Sequence, residues 1–279
     1  MVPRKVRLTL TYIILIFWSV MVLLPIYWLF TTSFKTRGAV IGGTKYLPWA
    51  QFKPTIQPWI NIIEEETLVL SLTNTAVIAS ISAFLALLFG TMAAYGLSRY
   101  KFHFGFFQNR DIMIWIISQR MMPPIVTAIA LFIMLKWFSL LDTRIGLIMV
   151  YVAFNLPIAV WLMENFFSQI PETLEEAARI DGASRLQIFG RIVLPLAMPG
   201  LVATFFLCFV FGWNQFLFAL TLTWRNARTL PVLIAAQHAQ AGPQWWRISA
   251  MTVVTIVPPI IISTYVREYL VKGVVATNK

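Results

Sequence analysis

A chain of 279 residues that is 59% hydrophobic and only 12% charged, with mean hydropathy +0.76, has too little charge to cover the surface of a soluble domain of its size. A net charge of +11 raises the question of nucleic acid, but Lys and Arg are scattered through the polar segments with no basic run interleaved with aromatics. That argues against nucleic acid and for charges that orient the chain and meet anionic lipid headgroups.

Apolar residues gather into blocks of about 20 residues, the length that crosses a hydrocarbon core of roughly 30 Å. The blocks predict spans at 8–31, 69–97, 112–136, 144–165, 197–222 and 248–270. Together they fill most of the chain, so 1–279 reads as a single transmembrane domain of an all-α polytopic membrane protein. The first block follows Arg4, Lys5 and Arg7, is too long for the apolar core of a signal peptide, and precedes no small-residue cleavage site; it reads as a retained first helix. An even number of crossings puts both termini on one side. Lys and Arg lean modestly towards that side, above all at the first helix, which predicts cytoplasmic termini. The second span carries small residues four apart, Ala79 and Ala83, then Ala86, Gly90 and Ala94, a stripe for close helix packing. The third carries its one interior charge, Arg120, beside Gln119, Met121, Met122, Pro123 and Pro124. A guanidinium there costs about 2.5–3.5 kcal/mol on insertion scales, so it faces a cavity or gate partner, or snorkels to the interface. The two prolines predict a kink. Cys208, the single cysteine, lies in the fifth span and forms no internal disulfide; it reads as a small buried side chain. The segments 35–67 and 223–247, rich in Pro and Trp, read as external.

Catalytic and cofactor patterns are missing from the sequence. His103 and His238 fall in loops, there is no H-E-x-x-H, G-x-S-x-G or cysteine cluster, and no P-loop to hold ATP. Asp111 and Glu164 fall at helix ends and Glu268 near the end of the last span, leaving no interior carboxylate for a proton relay. A sodium site of backbone carbonyls stays open. Uphill transport would draw its energy from another chain.

The stretch 171–200, PETLEEAARIDGASRLQIFGRIVLPLAMPG, is too polar to span. Pro171 at the first helical position, followed by Glu172, Glu175 and Glu176, predicts a helix start. Leu174, Ala177 and Ala178 fall on one side, with the carboxylates and Arg179 on the other. Gly182 stops this helix and Ser184 caps a second. The spacing Glu176-Ala177-Ala178, three residues, Gly182, nine residues, Ile192-x-Leu194-Pro195 resembles the EAA loop of the inner-membrane permeases of binding-protein-dependent ABC importers. The resemblance extends over the chain towards the smaller, six-helix permease of maltose-type carbohydrate importers. It is carried by Ser33-Phe34-Lys35, Asn74, Ala93-Ala94-Tyr95-Gly96-Leu97-Ser98-Arg99, Trp213-Asn214-Gln215-Phe216 and Tyr269-Leu270-Val271-Lys272-Gly273; the tail after Gly273 is poorer in glycine than the family's.

This resemblance implies a non-enzymatic permease subunit of a bacterial inner membrane, with the EAA loop, 171–195, cytoplasmic between the fourth and fifth helices. Its implied partners are a second permease in a heterodimer, two ATPase subunits, membrane lipid and an external solute-binding protein met by 229–247. ATP and Mg would be held by the ATPase, with no cofactor on this chain. Leu174, Glu175, Glu176, Ala177, Ala178, Asp181 and Gly182 would couple to that ATPase, Glu176 reaching a basic partner while Leu174 and Ala177 fill a groove. The chain would form half of the translocation pathway for a carbohydrate or polyol, which aromatic faces and amides suit; that nominates Arg120, Asn155, Trp161, Trp213, Asn214 and Gln215, although Asn155 and Asn214 serve equally as interhelical bonds. The alternatives are an importer of another solute, such as an amino acid or polyamine, and an ATP-independent carrier or channel.

Overall fold

The computed structural model describes residues 4–102, 108–237 and 242–276; His103 and His238 lie outside them. It opens with α1 (Arg4–Thr32), short α2 (Arg37–Ile41) and α3 (Gln57–Ile63), and the long α4 (Glu66–Arg99). Next come α5 (Asn109–Ser118), α6 (Pro124–Trp137), α7 (Arg144–Ser168) and α8 (Glu172–Ile180). After them stand α9 (Arg185–Ile188), α10 (Leu194–Leu196), α11 (Met198–Trp213), α12 (Leu217–Leu222), α13 (Leu230–Ala236) and α14 (Trp245–Ala276). Among the described residues there are no strands, only an isolated bridge between Pro48 and Phe52.

Four helices are long and apolar enough to cross a membrane: Val6–Thr32, Glu66–Arg99, Arg144–Ser168 and Trp245–Arg267. The other two predicted spans are broken. Asn109–Met121 and Pro124–Trp137 meet at 89°, which makes the expected kink a full corner. The cause is local: Gln119–Met121 tightens into a 3₁₀ turn, Met122 is extended, and Pro123 and Pro124 supply no backbone donors. The fifth predicted span, 197–222, also departs from a single rod. Arg185–Leu196 runs up to it and turns by 75° at Ala197, and the helix stops again at Trp213. There Asn214 caps the helix, its backbone N–H and its Nδ2 both donating to the Val210 carbonyl, at 3.1 and 2.9 Å.

The chain divides into two compact units, one of 1–69 with 233–257 and one of 70–232 with 258–279. In the first, the apolar side chains of α1 are exposed along its length, as for a helix whose solvent is lipid or another subunit. Phe34 packs between Phe30 and Trp59 at 5.2 and 5.7 Å. Beside them Lys35 is buried, donates to Thr32 Oγ1 at 3.3 Å and lies over the Phe52 ring; burial lowers its pKa. Arg247 pairs with Glu65 in the same unit.

In the second unit the small-residue stripe of α4 packs as its spacing predicts. Ala79, Ala83, Ala86 and Ala94 are fully buried. A Cβ on Gly90 would stand 2.7 Å from that of Ala159, so only glycine allows α4 and α7 this approach. Ala79, Ala83 and Ala159 share a core with Cys208, Phe209 and Trp213 of α11, which confirms Cys208 as a buried apolar side chain.

Candidate functional site

The loop after α7 is built by its own residues. Pro171 is extended and stands just before α8, so the helix begins at Glu172, one residue later than the sequence predicts. Glu172 and Glu175 occupy the first turn, where carboxylates meet the positive end of the helix dipole. The helix ends at Ile180; Asp181 is its C-cap, and Gly182 follows at φ +83°, the left-handed conformation that glycine adopts without strain. Ala183 N–H donates back to the Ala178 carbonyl at 3.0 Å and closes the turn. Ser184 and Gln187 form a capping box that starts α9. Residues Phe189–Val193 then widen into a π turn, which aligns Ile188 and Val193, five apart, into one buried cluster with Val160, Met163 and Phe167.

The faces of α8 differ from expectation at Glu175 and Ala178. Leu174 and Ala177 are exposed, as is Glu176, and the exposed apolar surface continues through Ile180 and Leu186, at 86% and 83%. Ala178 is half-buried and Glu175 is buried, so the carboxylates do not share one outward face. Glu175 Oε1 accepts from Arg99 Nε at 2.6 Å and Oε2 from the Tyr95 hydroxyl at 2.7 Å. Arg99 also donates to the Ile170 carbonyl at 2.9 Å. These partners on α4 repay the desolvation of Glu175. The signal was Tyr95 and Arg99 four apart at the end of a span, one helical face carrying two donors. A cleft of about 400 Å³ opens here, lined by Tyr95, Arg99, Glu172, Glu175, Glu176 and Arg179 among others.

Inside the membrane segments, Arg120 sits at the corner between α5 and α6. Its guanidinium lies over the rings of Phe154 and Phe211 at 4.6 and 4.7 Å and donates to the Phe154 carbonyl at 3.0 Å. It lines a mostly apolar cavity of about 370 Å³ with Gln119, Met122, Phe154, Pro157 and Phe218. The other pathway candidates do not line it. Asn155 is buried in the contact of α7 with α11, donating to the Cys208 carbonyl at 3.2 Å. Trp213 is buried against Phe209 at 5.3 Å and presents no face to a solute in this chain. Trp161 and Asn214 are exposed, and half-buried Gln215 accepts from Tyr151 through its backbone carbonyl.

One cluster escaped the sequence reading. Asp142, buried in the short connection before α7, accepts from the backbone N–H groups of Trp224, Arg225, Asn226 and Ala227, at 3.0 Å from Asn226 at closest. Burial alone would raise its pKa, but these donors outweigh it and hold the carboxyl below its ordinary value. Asn74 completes the anchor: Nδ2 donates to the carbonyls of Asn226 and Arg228, while Oδ1 accepts from Arg144 at 2.7 Å. Asn74 stood among the residues that carry the resemblance, but nothing joined it to Asp142, whose partners lie over 80 residues away.

The described chain thus has up to six apolar candidate spans, two of them bent, with a helix–glycine–helix loop between the fourth and the fifth. The chain belongs to the family of binding-protein-dependent transport system inner membrane components, whose model matches residues 86–275. It is 32% identical to the trehalose/maltose transport system permease protein MalG of Thermococcus litoralis, over 92% of this chain and 91% of that one. It is 34% identical to the trehalose transport system permease protein SugB of Mycobacterium tuberculosis, over 90% of each. Among solved structures, a chain of a bacterial ABC transporter involved in the import of the acidic polysaccharide alginate matches with TM-score 0.74 and 25% identity, over 96% of this chain and 99% of that chain. The chain is thus an ABC importer permease with several membrane-spanning helices.

Proposed function

We propose that this chain forms half of the translocation pathway of an ABC importer for a carbohydrate, and that α8 docks on a separate ATPase. The observation that carries the docking is the EAA spacing folded into α8, Gly182 and α9 with Leu174, Ala177, Ile180 and Leu186 exposed. A groove on the ATPase would bury those side chains, Glu176 would meet a basic residue at its rim, and Asp181 and Gly182 would set the angle of the turn. Glu175 serves from inside, by holding α8 to α4. ATP and Mg stay on the ATPase; its closure pushes α8, and the permease pair rocks between inward- and outward-open states. Carbohydrate cargo rests on the names of the relatives, trehalose and maltose among them. A second, related permease and an external solute-binding protein complete the assembly, with both termini and the α8 loop cytoplasmic.

Co-purification with the co-encoded ATPase, followed by a sugar screen of the co-encoded binding protein, tests both halves of the proposal. Glu176→Lys or Gly182→Pro is expected to abolish ATP-driven uptake while the chain still inserts in the membrane. Normal uptake by either variant would remove the docking role.

A further inference from the structure

Glu175 and Glu176 are neighbours in the chain and face opposite ways. Glu176 is exposed beside the apolar surface of α8, whereas both oxygens of Glu175 are engaged within the chain by Arg99 and Tyr95. Arg99 closes the arrangement by reaching the Ile170 carbonyl, just before Pro171, and Ser98 Oγ, each at 2.9 Å. The last turn of α4, a long span, is therefore fastened both to the body of α8 and to its entry.

The covalent exits from α8 differ in stiffness. One runs through Pro171 to α7. The other passes Gly182, which is left-handed and has no heavy atom within 4 Å of where a Cβ would stand. Glycine's backbone freedom transmits a push poorly on that side, which leaves Pro171 and the contacts of α8 with its neighbours to carry it. Apolar contacts slide, whereas a charge-assisted bond at 2.6 Å, backed by a second at 2.7 Å, restrains direction as well as distance. The Tyr95 ring adds packing on Phe189 and Phe167, at 4.7 and 5.7 Å, which survives removal of its hydroxyl.

We propose that Arg99 and Tyr95 are positioning residues that, through Glu175, make the end of α4 move with α8, so that α4 is the span by which the ATPase displacement enters the membrane. This rests on the docking role given above to α8. The test uses the complete importer in proteoliposomes, with solute imported per ATP hydrolysed as the readout. That ratio is expected to fall about tenfold in Arg99→Gln and in Glu175→Gln, the size of a typical coupling between sites, and by less in Tyr95→Phe. A purely structural role would lower import and hydrolysis together and leave the ratio where it was; an unchanged ratio in these variants overturns the proposal. If the glutamine variants do not assemble, Tyr95→Phe, which keeps the ring packing, decides by the same ratio. Failure of the docking role itself looks different: the unaltered chain would not retain the ATPase, or Glu176→Lys would import normally.

Discussion

Asp142 shows how a single buried carboxylate organises a connection that the hydropathy pattern leaves blank. Four consecutive backbone N–H groups converge on it, from Trp224 through Ala227, and Asn74 takes two carbonyls of the same turn. Asp142→Asn keeps one acceptor oxygen but loses the charge, and is expected to cost about 1–3 kcal/mol in thermal unfolding. Its pKa is lowered in the folded chain, so its stabilisation is complete above the unfolded carboxyl value and lost as pH falls through the folded one. The melting temperature of the unaltered chain is therefore expected to drop more steeply below the ordinary carboxylate range than that of Asp142→Asn, by unfolding scans across acidic pH. Asn155 is a different kind of polar residue. Its Nδ2 bonds the Cys208 carbonyl and its Oδ1 has no partner among the described residues, so Asn155→Leu exchanges one bond worth about 1 kcal/mol for apolar packing. Stability within about 1 kcal/mol of the original and retained transport are expected, by unfolding and uptake assays. Loss of uptake at full stability would return Asn155 to the solute pathway.

Among the elements, α4 was the most legible. Its alanines four apart gave the packing face, and Gly90 against Ala159 gives the depth of the contact. Gly90→Ala is expected to destabilise by about 1–3 kcal/mol through overpacking. Adding Ala159→Gly is expected to recover part of that loss, because the two Cβ atoms compete for one space; a double-mutant cycle in thermal unfolding measures the recovery. Less legible were α5 with α6 and the run into α11. Pro123 and Pro124 announced a kink, but not that Gln119–Met121 tightens and Met122 extends into an 89° corner, nor that Arg120 there lies over Phe154 of α7 and Phe211 of α11. At α8 the periodicity found the exposed Leu174 and Ala177 but placed Glu175 outside, since amphipathic patterning counts charge without knowing that an arginine waits beneath.

For the whole molecule, the proposed sidedness has a direct check. With Cys208→Ala as background, that proposal puts exposed Lys101→Cys on the side of the α8 loop and exposed Arg225→Cys on the other. A membrane-impermeant thiol reagent is expected to label only Arg225→Cys from outside the cell and only Lys101→Cys in inverted vesicles; the reverse pattern would turn the α8 loop away from any cytoplasmic ATPase. The chain by itself determined the class of protein, because hydrophobic length is set by the bilayer and is written locally, about 20 residues at a time. It also determined the helix–glycine–helix loop of α8 and α9, whose turn needs glycine at one place and whose spacing survives in a linear pattern. Tertiary structure alone decided which polar residues were spoken for. Arg99 with Glu175 and Asp142 with the 224–227 turn are pairings across the fold, and a buried charge reveals its purpose only when its counterpart is in place.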